Sequence, residues 1–272
     1  MQIDRGIGLT KTVVTHHEIL TLLRTEDALT TRQLERNLEY SRATVNRHLG
    51  TLREAELITA TDNRHALTDF GAIVLREVEA LCRQLHVSAR LPELVEQLHA
   101  CPIEFERSLL AEATVMTATA DDPYQMHRRY LEFWDETERA KGVRSISAVP
   151  PDVVERLKPH LRGEVEAEII WTPEAATRYF ERYPDIESIW TGESDSGVRI
   201  TDEPIPVQFG LFDHRLTFTV HDDRTGYPHA LVDTADAEAV EWGRRLYRYY
   251  RERSQPMETW LDTTERAGVS EP

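Results

Sequence analysis

Four side chains within one short stretch, Arg42, Thr44, Asn46 and Arg47, are of the kinds that read nucleic-acid edges. Arginine grips guanine edges or phosphates, asparagine pairs with adenine, and threonine packs on the thymine methyl. Between Tyr40 and Arg53 there are three arginines and no acid, in a chain with 48 Asp+Glu against 32 Lys+Arg. Wound as a helix, the stretch puts Val45, Leu49 and Leu52 on one stripe and Ala43 and Arg47 opposite, with Thr44, Asn46 and Thr51 flanking. Arg42 falls in the first turn. Ser41 is placed to cap that helix, with its backbone amide available to a phosphate. Further on, Arg64 and His65 follow the polar turn Thr61-Asp62-Asn63 and are expected to project beside the helix.

Other residues could in principle catalyse or hold a metal, but their spacing points elsewhere. A histidine nucleophile for phosphodiester cleavage needs a lysine two residues on, and no histidine here has one; His160-Leu161-Arg162 is the nearest imitation. There is no GxSxG, P-loop or HExxH. His16-His17 and His221-Asp222-Asp223 read as plain surface, and Asp121-Asp122-Pro123 as a helix N-cap. Cys82 and Cys101 lack a CxxC spacing and read as small buried or loop cysteines. Trp171, Tyr179, Trp190, Phe209 and Phe212 are either core or pocket wall. The expectation is a non-enzyme with no metal and no cofactor.

The elements that must position the first set are legible. Val13, Val14, His17, Leu20 and Leu23 follow helical spacing. Thr30-Thr31-Arg32-Gln33 fits a capping box opening a short helix with Leu34 and Leu38 on one face. Glu39-Tyr40 makes the turn into the helix Arg42–Arg53. Leu57–Ala60 and Ala66–Thr68 flank a polar turn as a hairpin, after which Thr68 caps another helix at Asp69-Phe70-Gly71.

Taken together, Ser41 to Leu49, Leu52, Leu57-Ile58 and Leu67-Thr68-Asp69-Phe70-Gly71 resemble the winged helix-turn-helix of archaeal and bacterial transcription regulators, over roughly residues 10–80. The resemblance implies double-stranded DNA as partner, with the second helix of the pair in the major groove and the wing on the neighbouring backbone or minor groove. It assigns Ser41, Arg42, Thr44, Asn46, Arg47, Arg64 and His65 to that contact. The other reading is a winged helix used only for protein contacts within a transcription or repair assembly.

Beyond it, Ile73, Val74, Val78, Leu81 and Leu85 give a helix suited to dimer formation, and Pro92 opens a second helix that ends before Cys101-Pro102. From residue 103 strands and helices alternate. Strands are expected at Ala113–Ala118, Val143–Val149, Val165–Trp171, Ile186–Trp190, Val198–Ile200, Val207–Phe212, Leu216–Val220 and His229–Val232. Helices are expected from Pro123, Pro151 and Pro173 and over 235–253, with a tail after Met257.

Within this part, Leu109 to Val115, Asp121-Asp122-Pro123-Tyr124, Arg128 to Glu132, Ile205 to Arg215 and Glu241-Trp242-Gly243-Arg244 resemble the effector domain of the archaeal methanogenesis-regulatory-protein family, over about residues 100–255. That implies a signal-receiving domain attached to a DNA-binding head. Some related archaeal regulators use a phospholipase-D-like fold for it. Gln208-Phe209-Gly210 and Asp213-His214 depart from the family's usual step at that strand, so no relative's ligand carries over.

Composition agrees with this division. The 272 residues suggest two domains, and 40% apolar residues suffice for a core. Residues 1–86 carry 11 Lys/Arg and 12 Asp/Glu, net -1, while residues 87–272 carry 21 and 36, net -15. A near-neutral head in an acidic chain suits a nucleic-acid partner. Lysine occurs only at Lys11, Lys141 and Lys158, and such an arginine-biased acidic composition resembles the proteins of salt-in halophilic archaea. No apolar run reaches the ~18 residues of a membrane span, and no signal-peptide core is present, so a soluble cytoplasmic protein is expected.

The expected fold class is α+β and α/β, multidomain: a winged helix-turn-helix over 1–80, a helical connector over 81–102, an α/β sensor-like domain with a mixed sheet over 103–255 and a tail over 256–272. The expected function is that of a homodimeric DNA-binding transcriptional regulator that receives a small-molecule or protein signal.

Overall fold

The computed structural model describes residues 2–119, 121–122, 124–145, 154–155, 158, 166–183, 197–221 and 228–268. The chain forms two compact units, residues 1–85 and 86–272.

In the first unit, α1 (Gln2–Thr15) and α2 (His17–Thr25) are separated by a break at His16, where a single helix was expected. A short strand β1 (Ala28–Thr30) leads into α3 (Thr31–Leu38), then α4 (Arg42–Glu54), β2 (Ile58–Thr61), β3 (Arg64–Leu67) and the start of α5 (Asp69–Arg90). The sheet order β1-β3-β2 is antiparallel throughout. The local chemistry explains this layout. Thr30 and Gln33 form the capping box: the Gln33 amide donates to Thr30 Oγ1 at 3.3 Å and the Thr30 amide to Gln33 Oε1 at 2.9 Å. Glu39 takes the left-handed conformation (φ 55°) that ends α3. Asp62 and Asn63 hold φ of 49° and 62°, the pair of positive values that a two-residue hairpin turn requires. Leu20, Leu34, Val45, Leu49, Leu52 and Leu75 are among the buried side chains that fuse these elements into one core.

The second unit continues with α6 (Pro92–His99), a 3-10 turn (Arg107–Leu110), β4 (Thr114–Thr117), α7 (Gln125–Glu136), β5 (Arg139–Arg144), β6 (Glu166–Trp171), α8 (Pro173–Arg182), β7 (Gly197–Ile200), β8 (Phe209–Phe212), β9 (Arg215–His221), β10 (Pro228–Thr234), α9 (Ala237–Glu252), β11 (Gln255–Pro256) and α10 (Met257–Gly268). Among the described residues, eight strands form one mixed sheet in the order β11-β7-β6-β5-β8-β9-β10-β4. The β5–β6 and β6–β7 pairs are parallel and the rest antiparallel. One core lies on the α6 and α9 face, around Leu94, Val143, Ile170, Phe218, Trp242 and Tyr250. The other lies on the α7 and α8 face, around Phe133, Ile169, Tyr179, Phe212 and Met257. The sheet is therefore covered on both sides.

Several expectations need correction. Residues 256–268, expected within a tail, are structured: Pro256 pairs with Arg199, and Met257 is buried in the core at the start of α10. The strand expected from Val143 begins earlier, at Arg139, because its outward-facing arginine and lysine hid its alternation. Trp171, Tyr179 and Phe212 belong to one core and Phe209 to the other, so they do not wall a common pocket. Asp122 does not cap α7; its carboxylate accepts from Arg128, which holds it below the usual carboxylate range. The strand at Ile186–Trp190, the helix residues around Leu157, and Pro123, His160 and Asp222-Asp223 lie outside the described residues. No described helix is long and apolar enough to cross a membrane.

Candidate nucleic-acid interface

Helix α4 stands on three buried anchors, Val45, Leu49 and Leu52, which fix which face looks outward. Its entry is set by Ser41, whose Oγ accepts from the Thr44 amide at 3.2 Å and lies 2.9 Å from Thr44 Oγ1. Ser41 and Thr44 are thus committed to the cap, which leaves the Ser41 backbone and the Thr44 methyl as their offer to a partner. Arg42, Ala43, Asn46, Arg47 and Thr51 are exposed. The Arg42 side chain is 80% exposed, and its Nε is 3.7 Å from Glu35, too loose and too wet to immobilise it. Arg42, Asn46 and Arg47 therefore form an exposed cationic and amide surface on α4. Ala43 is small enough to let that surface approach another closely.

The wing differs. His65 does not project: it is buried, with Nε2 3.3 Å from Thr31 Oγ1, opposite Leu29 in the β1–β3 register. Burial, with Arg53 nearby, lowers its pKa. Adjacent strand residues point to opposite faces, so Arg64 and His65 could not both face outward. Arg64 is exposed, but its guanidinium turns back to donate to the Ala28 carbonyl at 2.5 Å. The tip itself carries Thr61, Asp62 and Asn63, all exposed. A cationic wing is thus reduced to one arginine tethered to β1. The strand alternation in the sequence was sufficient to assign His65 inward.

Behind α4 lies a histidine pair. His16, expected at the surface, is buried, with its ring 4.6 Å from that of His48, which meets Tyr40 edge-on at 5.7 Å. Burial lowers both histidines' pKa values, aided by Arg47 and, for His16, by His48. Neutral imidazoles behind the helix leave its positive charge on its outer face. On α2, Arg24 and His17 both hold Glu79 of α5, at 2.7 and 2.9 Å.

Two family models match the chain. Residues 5–90 match the HVO_A0261 N-terminal domain, and residues 123–253 match the middle domain of the methanogenesis regulatory protein FilR1. The second covers the β-sheet unit from α7 to the end of α9, so the resemblance expected there holds. No curated protein matches the sequence. Among solved structures, the chain is similar to TrmBL2, an archaeal chromatin protein described as showing a novel mode of DNA binding. The identity is 16%, over 94% of this chain and 100% of that one, with a TM-score of 0.40. It is also similar to NucT from Helicobacter pylori, at 11% identity over 53% of this chain and 98% of that one, TM-score 0.39. Nuc from Salmonella typhimurium, a phospholipase D family member, shares 11% over 53% and 98%, TM-score 0.37.

Proposed function

We propose, from the premise of a chain that joins a segment similar to the HVO_A0261 N-terminal domain to one similar to the FilR1 middle domain, that it is a DNA-binding transcriptional regulator. One observation carries this reading. The outward face of the second helix in a helix-turn-helix bears Arg42, Asn46 and Arg47, with no carboxylate between Tyr40 and Arg53 of an otherwise acidic chain. In a major groove these side chains would meet base edges and phosphates, with Ser41 setting the helix start.

The regulator acts as a homodimer in this reading. Ile3, Ile7 and Val14 on α1, and Phe70, Ile73, Leu81 and Leu85 on α5, are between 43% and 78% exposed. These apolar stripes support a second copy of the chain as the covering partner, since a two-fold protein reads two half-sites. The β-sheet unit then receives a signal and alters the spacing of the two heads. The protein works in the cytoplasm, without catalytic chemistry of its own, and its acidic surface keeps it soluble at high salt.

A second reading is favoured by the wing, which offers one tethered arginine beside Asp62. A winged helix used for protein contacts would need no more than that. Fluorescence anisotropy on duplexes from the gene's own upstream region separates the two: sequence-selective binding supports the regulator, and equal weak binding to all duplexes supports the interaction module.

A further inference from the structure

Strand β5 and helix α9 enclose a cleft of about 440 Å³ in the second unit. Its walls carry Arg139 and Lys141 from β5, and Arg244, Tyr247, Arg248 and Arg251 from α9. Leu211 and Asp213 complete the lining. Residues 87–272 hold 36 acids against 21 bases, yet five of those bases converge here, including one of the chain's three lysines.

The convergence follows from both elements. Arg139 and Lys141 alternate with Ala140 and Gly142, so they share one face of the sheet. On α9 the four residues fall at i, i+3, i+4 and i+7, the spacing that normally carries an apolar stripe onto a core. Here the stripe is cationic. It is held close to the sheet by Gly243, where a Cβ would meet Leu216 Cδ1 at 2.8 Å.

The carboxylates nearby do not neutralise it. Glu168 accepts from Arg251 Nε at 2.8 Å and from the Tyr247 hydroxyl. The Asp213 carboxylate accepts from Thr137 at 2.9 Å and from the Glu138 amide at 3.0 Å, with Arg139 further off at 3.8 Å. Glu241 serves both Arg244, at 3.5 Å, and Arg248, at 3.8 Å. Lys141 Nζ lies 5.2 Å from the centre of the Tyr247 ring. Of the lining residues themselves, five are cations and one, Asp213, is a carboxylate; Glu168, Glu241 and Glu166, the register partner of Arg139, stand beside the cleft.

We propose that this cleft binds a small phosphoryl-bearing anion. Guanidinium forks and an ammonium are the donors that suit phosphoryl oxygens. The volume falls within the ~300–1,000 Å³ of small-ligand pockets, and a concave site of this size suits a metabolite rather than a duplex. Binding rests on nothing in the first unit; only the further step, that the anion is the signal, rests on the regulator reading.

Calorimetric titration of the full-length protein with pyrophosphate, without DNA and at fixed KCl, tests the proposal separately from DNA binding. Saturable binding is expected, weakened at least about tenfold in Lys141→Ala/Arg248→Ala, whose side chains are exposed and whose melting should match wild type. Glu241→Gln should tighten it, because a competing carboxylate is removed. Adenosine diphosphate separates the sources: tighter binding than pyrophosphate points to an organic phosphate, equal binding to an inorganic one. No saturable binding, affinity unchanged in all variants, or equal binding of succinate would overturn the proposal.

Discussion

A Cβ at Gly71 would lie 2.0 Å from the carbonyl oxygen of Leu57. The start of α5 is thus pressed directly onto the backbone that follows α4. Thr68 locks the approach: its hydroxyl donates to the Glu56 carbonyl at 2.8 Å, its amide to the Leu57 carbonyl at 3.1 Å, and its Oγ1 accepts from the Gly71 amide at 2.8 Å. Gly71→Ala must move backbone, and should cost the first unit about 3 kcal/mol or more. Gly50, in the middle of α4, has nothing within 4 Å of a Cβ, so Gly50→Ala should stabilise by about 0.5–1 kcal/mol. Thermal melts of both variants check the contrast.

Asp233 is 1% exposed and sits on β10 between two arginines. Its Oδ1 accepts from Arg215, with Arg129 at 3.7 Å, and both guanidiniums lie over the Phe133 ring, at 5.6 and 4.4 Å. Asp233→Ala takes the carboxylate from Arg215, while Arg129 keeps Glu132 at 3.0 Å, and should lower stability by about 1–3 kcal/mol in urea unfolding.

His221 is held largely neutral. Burial, with Arg144 nearby, lowers its pKa to about 4. An unfolded histidine titrates near about 6.5, so between those values the unfolded chain binds more protons. Stability therefore rises with pH across that window, is fully present above it, and is lost as pH falls toward 4. His16, His48 and His65 shift in the same direction by burial and add the same sign in the first unit. Urea midpoints at pH 4.5 and 7 should differ, and His221→Gln should reduce that difference in the second unit by about 1–3 kcal/mol.

How far the sequence reveals this architecture depends on how local each signal is. The capping box at Thr30–Gln33, the Ser41 cap and the Asp62-Asn63 turn are short-range chemistry, and all were legible. So was the outward face of α4, because three leucine- or valine-type anchors set its phase. Strand β5 was harder. Its residues Arg139-Ala140-Lys141-Gly142 bury only small groups on one side and expose cations on the other, so neither side reads as apolar. Helix α10 leaves little trace in the sequence because Met257 and Trp260 are sparse anchors in a polar stretch, and burial there depends on the distant strand β7 and the α7–α8 core. The cationic cleft was invisible for the same reason: β5 and α9 are brought together only by the sheet.

The exposed apolar stripes on α1 and α5 give the dimer its test. Ile73→Asp/Leu85→Asp should shift the chain from dimer to monomer in sedimentation while leaving the melt of the second unit unchanged. A wild-type monomer at micromolar concentration would remove the dimer from the account.

Removing His65 separates helix from wing. His65→Phe keeps a buried ring and should leave DNA affinity within about twofold, since the side chain does not reach outward. Arg47→Ala should cost about 1–3 kcal/mol of binding on a preferred duplex.

The most direct measurement is anisotropy on upstream-region DNA in molar KCl, comparing wild type with Asn46→Ala/Arg47→Ala. High salt suppresses binding that depends on counterion release alone and leaves base readout exposed. The account predicts sequence-selective wild-type binding that the double variant loses by at least about a hundredfold. Equal affinity in the two proteins, or no selectivity by wild type at any salt, would contradict it.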